Sequence, residues 1–130
     1  MLKNFLIGIP VRNFKNPMSR LENILSVEKR IELSKGMFKN IVKSFENEDT
    51  KIVCITNDEL VIDYCKNNGI ETFSTRKKGL NFELEEFLNS YEYEYWTICH
   101  ADLPYLNNFY AQEWIKECKS SQIVICSSKD

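Results

Sequence analysis

The chain lacks the signatures of several common protein classes. Its five cysteines form no Cys-x-x-Cys pair, and their odd number argues against both a disulfide framework and a zinc site. No stretch approaches the ~18 consecutive apolar residues of a membrane-spanning helix, and no cleavage site follows the short apolar start. The net charge of -2 gives no overall attraction to nucleic acid or anionic membrane. We therefore expect a cytoplasmic protein that binds neither nucleic acid nor membranes.

Two familiar phosphate-binding motifs are also missing. The chain has only four glycines, and none of them belongs to a G-x-x-x-x-G-K-[ST] P-loop or to a G-x-G-x-x-G turn. The first absence excludes the P-loop form of nucleotide binding, and the second argues against a dinucleotide-binding fold.

Strand-like and helix-like segments alternate along the chain. Ser26 is expected to cap the first helix, and Gly69 to close the second. This alternation predicts βαβ units, and so a three-layer α/β domain with a mostly parallel sheet flanked by helices. One domain over residues 1–130 is the natural count. The predicted strands are 4–11, 51–56, 70–74, 95–99 and 122–126, and the predicted helices are about 26–45, 57–69, 81–90 and 108–119.

The segment His100-Ala101-Asp102-Leu103-Pro104-Tyr105-Leu106 follows the fourth predicted strand. In open α/β sheets, ligands bind beyond the carboxyl ends of the strands. An aspartate at that place suits a magnesium ion, which often takes one or two protein carboxylates plus substrate phosphates. The alternative is that Asp102 only caps the following turn or helix. The lone histidine, His100, is expected to be structural or exposed.

The first strand leads into a basic loop. From Met1 to Leu21 there are four basic residues and no acid, whereas the chain as a whole is acidic. Arg20 could grip a phosphate through two hydrogen bonds, with Arg12 and Lys15 adding charge. The alternative is a solvated loop whose long side chains lie along the surface.

A second basic segment, Arg76-Lys77-Lys78-Gly79-Leu80-Asn81, precedes the third predicted helix. Gly79 allows close backbone approach, and Asn81 could cap a helix whose N-terminus attracts anions. A phosphate or base site and a plain basic turn remain equally open. Trp96 and Trp114 are expected in the core, and five acids are expected on a solvated helix surface: Glu83, Glu85, Glu86, Glu92 and Glu94.

Three segments together resemble the 2-phospholactate guanylyltransferase family. They are Ile9-Pro10-Val11-Arg12 with Ser19-Arg20-Leu21, Lys78-Gly79-Leu80-Asn81, and Ala101-Asp102-Leu103-Pro104-Tyr105-Leu106. The resemblance covers essentially the whole chain, in the family's order. It implies a nucleotidyltransferase fold of the GT-A type.

The resemblance also implies roles for the matching residues. Arg12 and Arg20 would contact a triphosphate, and Asp102 would carry Mg²⁺. The expected catalytic residues are Arg20 and Asp102. The expected nucleotide-binding residues are Pro10, Val11, Arg12, Lys15, Ser19, Arg20, Lys78, Gly79, Leu80, Asn81 and Ala101. The family usually has lysine where Met18 stands, so Lys15 is expected to substitute for it.

The implied reaction transfers a nucleoside monophosphate, with GTP as the favoured donor, to a small phosphorylated acid such as 2-phospholactate or phosphoenolpyruvate. Family members continue beyond the point corresponding to Asp130, so the domain is expected to be incomplete at its C-terminus. We therefore expect this form to be inactive or a poor catalyst. We also expect it to form a homodimer through an exposed strand at 123–126. The alternative is a non-catalytic nucleotide-binding or interaction module. A receiver domain is disfavoured because Pro10-Val11-Arg12 stands where receivers need acids.

Overall fold

The computed structural model describes residues 4–76, 79–102 and 106–120. Within these ranges four strands and four α-helices alternate, and a 3₁₀ turn, Ser19–Leu21, precedes the first helix. The predicted strand at 122–126, and with it the expected dimer surface, lies outside the described residues. In chain order the elements are β1 (Phe5–Pro10), α1 (Val27–Phe45), β2 (Thr50–Ile55), α2 (Glu59–Asn67), β3 (Glu71–Phe73), α3 (Leu80–Ser90), β4 (Tyr95–Ile98) and α4 (Asn108–Ser120).

The described strands form one parallel sheet in the order β3-β2-β1-β4. The central strand β1 pairs with β2 on one side, where Pro10 faces Ile55, and with β4 on the other, where Gly8 faces Ile98. All the carboxyl ends therefore meet at one edge, as expected of a sheet built from βαβ units.

Alternate residues of β1 supply the two faces of the sheet. Phe5, Ile7 and Ile9 are fully buried in a cluster with side chains of α1, α2 and α4. Leu6 points to the opposite face, where α3 covers it with Phe87. Because both faces are covered, β1 reads as a continuous apolar run, and the predicted three-layer α/β class is confirmed.

The helix ends follow the local chemistry of the sequence. The Ser26 hydroxyl accepts a hydrogen bond from the Lys29 backbone N–H at 3.3 Å, and the Asp58 carboxylate accepts one from Val61 at 3.1 Å. Gly69 closes α2 with φ of 69°, in the left-handed region that glycine tolerates. The predicted cap at Asn81 is wrong. The chain turns at Gly79, with φ of 107°, and Asn81 falls inside α3.

The expectation that both tryptophans are in the core is wrong for Trp96. Its side chain is 51% exposed, because β4 is an edge strand of the described sheet and α3 packs over β1 and β2. Trp114 is half-buried against the α1 side of the core, and its indole N–H donates to the Thr97 hydroxyl at 3.0 Å.

In the described part of the chain, no helix is both long and apolar enough to cross a membrane.

Candidate functional site

Two clefts adjoin at the carboxyl edge of the sheet. The cleft beside α3, about 600 Å³ and called here the α3 cleft, is lined by the carboxyl end of β2 and by Thr75, Gly79 and Glu83. The cleft beside the basic loop, about 500 Å³ and called the loop cleft, is lined by Ser19 and Asp102 among others. Both volumes are in the range of small-molecule sites. The clefts share Pro10, Val11, Arg12, Asn13 and His100.

The central place of β1 explains why the clefts meet at its end. The Val11 backbone N–H donates to the Ile55 carbonyl at 3.1 Å, and Cys99 donates to Gly8 at 2.9 Å, so β1 is held between its neighbours to its last residues. Arg12 is the first residue beyond this ladder, and it is exposed. The Arg12 side chain therefore begins at the wall between the two clefts.

A buried arginine of α1 holds the basic loop in place. Arg30 donates through Nη1 to the Asn16 side-chain oxygen at 2.6 Å and to the Pro17 carbonyl at 3.0 Å. Its Nε donates to the Leu25 carbonyl at 3.4 Å. With Phe14 also buried, the loop is anchored from inside rather than solvated along its whole length. Arg30 lies at helical spacing on the same face of α1 as the apolar residues Met37 and Ile41. This spacing is the sequence signal that Arg30 is buried.

Replacing Arg30 with methionine is expected to lower the free energy of unfolding by roughly 2–3 kcal/mol. Methionine keeps the apolar stem but leaves the Pro17 carbonyl without its charged donor, and bonds to charged groups are worth about 1.5–3 kcal/mol. Denaturant unfolding measures the loss. An Arg30→Lys variant, which keeps one charged donor, should lose less. A loss in Arg30→Met no larger than in Arg30→Lys would contradict the anchoring role.

Hydrogen bonds between loops shape the wall of the α3 cleft. The Asn57 side-chain oxygen accepts from the Thr75 backbone N–H at 2.9 Å, and the Ser74 hydroxyl donates to the Thr56 carbonyl at 2.8 Å. The loop after β3 is thereby fixed to the end of β2, which holds Thr75 in the cleft wall.

The sequence predicted five acidic residues on a solvated helix surface, but these residues are not all solvated. Glu83 is half-buried and lines the α3 cleft, because it lies in the first turn of the helix. Glu86 is also half-buried, and its carboxylate accepts from the Arg76 backbone N–H at 2.8 Å. Glu85, Glu92 and Glu94 are exposed, but the last two follow the end of α3.

The structure brings together about half of the predicted site residues. Pro10, Val11 and Arg12 line both clefts. Gly79 lines the α3 cleft, while Ser19, Ala101 and Asp102 line the loop cleft.

Other predicted site residues lie elsewhere. Lys15, Arg20 and Asn81 are exposed and are not among the lining residues of either cleft. Lys78 lies outside the described residues, and Leu80 begins α3.

Sequence reasoning missed several residues of the site. His100, expected to be structural or exposed, is exposed and lines both clefts. Asn57, Thr75 and Glu83 were also missed as lining residues, because they come from separate loops and one helix turn that only the fold brings together.

Asp102 suits a magnesium ion that is shared with a substrate. Its side chain is exposed at the wall of the loop cleft, and carboxylate oxygen is a ligand that Mg²⁺ prefers. No group of three or more His, Cys, Asp or Glu side chains with metal-site geometry occurs among the described residues. The donor set therefore fits an ion completed by phosphate oxygens and water, rather than one enclosed by protein ligands.

Solved structures of nucleotide-handling transferases share this fold. A protein from Desulfovibrio desulfuricans G20, described as a nucleotide-diphospho-sugar transferase, superposes with a TM-score of 0.71 at 10% identity, over 87% of this chain and 53% of that one. A CMP:2-keto-3-deoxy-manno-octonic acid synthetase complexed with CTP gives 0.65 at 14% identity, over 92% and 48%. The fold is therefore of the nucleotidyltransferase class, as the sequence predicted.

The chain belongs to the family described as "Guanylyl transferase CofC like", which it matches over residues 5–130. A 2-phospho-L-lactate guanylyltransferase of Methanocaldococcus jannaschii is 30% identical over 122 residues, which cover 93% of this chain and 54% of that protein. Its counterpart in Methanosphaera stadtmanae is 29% identical over 107 residues, covering 77% and 47%. The resemblance found in the sequence motifs is confirmed. The chain spans about half the length of these curated relatives.

Proposed function

We propose that this protein is a nucleotidyltransferase that transfers GMP from GTP to a small phosphorylated acid, such as 2-phospholactate or phosphoenolpyruvate, and releases pyrophosphate. The observation that carries the proposal is the pair of adjoining clefts at the carboxyl ends of β1, β2 and β4, with Arg12 between them. Membership of a family whose named relatives are guanylyltransferases supports it.

In the proposed complex the nucleoside occupies the α3 cleft, and the triphosphate runs past Arg12 into the loop cleft. Gly79 presents backbone without a side chain at the wall of the α3 cleft. Arg20 is exposed on the turn that begins at Ser19, a lining residue, and we propose that its long side chain reaches the phosphates from there. Asp102 would hold Mg²⁺, which neutralises phosphate charge when it is bound.

The proposed reaction needs no covalent enzyme intermediate. An oxygen of the phosphorylated acid attacks the α-phosphorus of GTP, the bond from that phosphorus to the bridging oxygen breaks, and pyrophosphate leaves. The chain's own residues align the reactants and stabilise the charge that develops on the phosphates. Arg12, at the junction of the two clefts, is the residue best placed to do both.

Pyrophosphate release tests the proposal. The chain is incubated with GTP, Mg²⁺ and either 2-phospholactate or phosphoenolpyruvate, and release is followed with and without the acceptor. Release that depends on the acceptor supports the transferase. GTP binding by calorimetry without any release would support the non-catalytic binding module instead. Failure to bind GTP, CTP or ATP would contradict both.

Removing either phosphate-contacting arginine is expected to weaken triphosphate binding by about 1.5–3 kcal/mol, the range for hydrogen bonds to charged groups. Both Arg12 and Arg20 are exposed, so Arg12→Ala and Arg20→Ala should leave the melting temperature almost unchanged. Calorimetry with GTP measures binding. Lys39→Ala, an exposed basic residue on α1, is the matched control. A large fall in melting temperature with unchanged affinity would make the arginine structural.

A further inference from the structure

One acidic side chain in the α3 cleft has no role in the chemistry described above. Glu83 is half-buried in the first turn of α3, and its backbone N–H donates to the Gly79 carbonyl at 2.9 Å, which fixes the start of its side chain. In the described part of the chain, neither a hydrogen bond nor an ion pair is made by its carboxylate.

The position of Glu83 determines what it can face. Phosphate oxygens would be repelled by a carboxylate, and Asp102 already provides an acid on the other side of the shared wall, in the loop cleft. Glu83 lines only the α3 cleft, where the proposed complex has the nucleoside. A carboxylate there can only be satisfied by N–H or O–H donors.

The donor pattern of the bases then discriminates among them. A carboxylate offers two acceptor oxygens side by side, and guanine alone among the common bases has two neighbouring donor groups, N1–H and N2–H₂, on its pairing edge. Adenine and cytosine each place an acceptor beside their single amino group, and uracil flanks its one N–H with carbonyls. An acceptor of the base placed against a carboxylate of the cleft wall costs binding energy, because two acceptors then face each other without a donor.

We propose that Glu83 is the base-selecting residue of this chain, accepting hydrogen bonds from N1–H and N2–H₂ of a guanine base in the α3 cleft. The inference rests on the proposed nucleotidyltransferase function and deepens it. The Asn57 side-chain oxygen does not compete for this role, since it already accepts a hydrogen bond from the Thr75 N–H.

Inosine triphosphate tests the contact directly, because it differs from GTP only by lacking the N2 amino group. The unaltered chain is expected to bind GTP at least tenfold more tightly than ITP. Glu83→Gln has only one acceptor and should bring the ratio of the two dissociation constants close to one, with GTP affinity reduced ten- to a hundredfold. Glu85→Gln, an exposed carboxylate on the same helix, is the matched control and should keep the unaltered ratio.

The outcomes separate this inference from the proposed function. Equal affinities for GTP and ITP in the unaltered chain, or an unchanged ratio in Glu83→Gln, would overturn the role of Glu83 while leaving nucleotidyl transfer intact. If no nucleoside triphosphate binds, the proposed function and this inference both fail. Should Glu83→Gln fold poorly, Glu83→Asp keeps the charge but shortens the reach. Glu83→Asp should weaken the binding of GTP more than the binding of ITP. An unchanged ratio of the two dissociation constants in this variant would also overturn the proposal.

Discussion

Asp102→Asn is expected to reduce magnesium-dependent nucleotidyl transfer by roughly 10²- to 10³-fold, the scale seen when one group that stabilises transition-state charge is removed. Asparagine keeps the size of the side chain but loses the charge that attracts Mg²⁺. Because Asp102 is exposed, the melting temperature should hardly change. Pyrophosphate release measures turnover, and calorimetry with GTP in the presence and absence of Mg²⁺ measures the contribution of the ion to binding.

A matched control separates the proposed role of Asp102 as a metal ligand from an effect of general surface charge. Asp63 is an exposed aspartate on α2, away from both clefts, and Asp63→Asn should leave turnover and the effect of Mg²⁺ unchanged. GTP binding that is independent of Mg²⁺ and equally tight in Asp102→Asn would remove Asp102 from the site. The capping role considered for this residue would then be the better explanation of the motif.

Phe87→Ala is expected to be the most destabilising single change on the α3 side of the sheet, costing about 3–5 kcal/mol of unfolding free energy. The Phe87 ring is fully buried and lies edge-on to the Phe73 ring, with the two ring centroids 5.7 Å apart. Its centroid is 5.1 Å from that of the Tyr91 ring. Since small domains are stable by only about 5–15 kcal/mol, this loss is a large part of the total. Urea unfolding of the variant measures it. Phe82→Ala, on the same helix but 54% exposed, should cost about 1 kcal/mol or less.

The same ring predicts a coupling with the sheet beneath it. A Cβ placed on Gly8 would come within 2.7 Å of Phe87 and 2.9 Å of Ile98. Gly8→Ala alone should therefore cost about 1–3 kcal/mol through overpacking. In the Phe87→Ala background the added methyl group enters the space left by the ring, so its cost should shrink or change sign. Additive losses in the double variant would show that Gly8 and Phe87 do not pack against each other.

Much of the scaffold could be predicted from local sequence. The cap at Ser26 forms its expected hydrogen bond, and Gly69 ends α2 as expected. These features succeed because they depend on residues three or four positions apart. The alternation of elements likewise predicted the parallel sheet, since βαβ connections leave few other arrangements.

Prediction was weaker wherever the partner of a side chain is distant in the sequence. Trp96 was expected in the core, yet its burial depends on which helix covers β4, and the apolar character of the residue does not say that. Local sequence gave no indication of the partners of Arg30, because two of them, Pro17 and Asn16, lie 13 and 14 residues away in the basic loop.

The sequence by itself determined the family, the class of fold and the motifs after β1 and β4, because short segments and their order along the chain carry each of them. Only the tertiary structure decided which of those residues share a site. Arg12 and Asp102 meet at one cleft because β1 and β4 are parallel neighbours whose carboxyl ends coincide. Glu83 lines the other cleft because α3 begins there. The residues that face this first helical turn are set by how α3 packs on the sheet, which the local sequence does not specify.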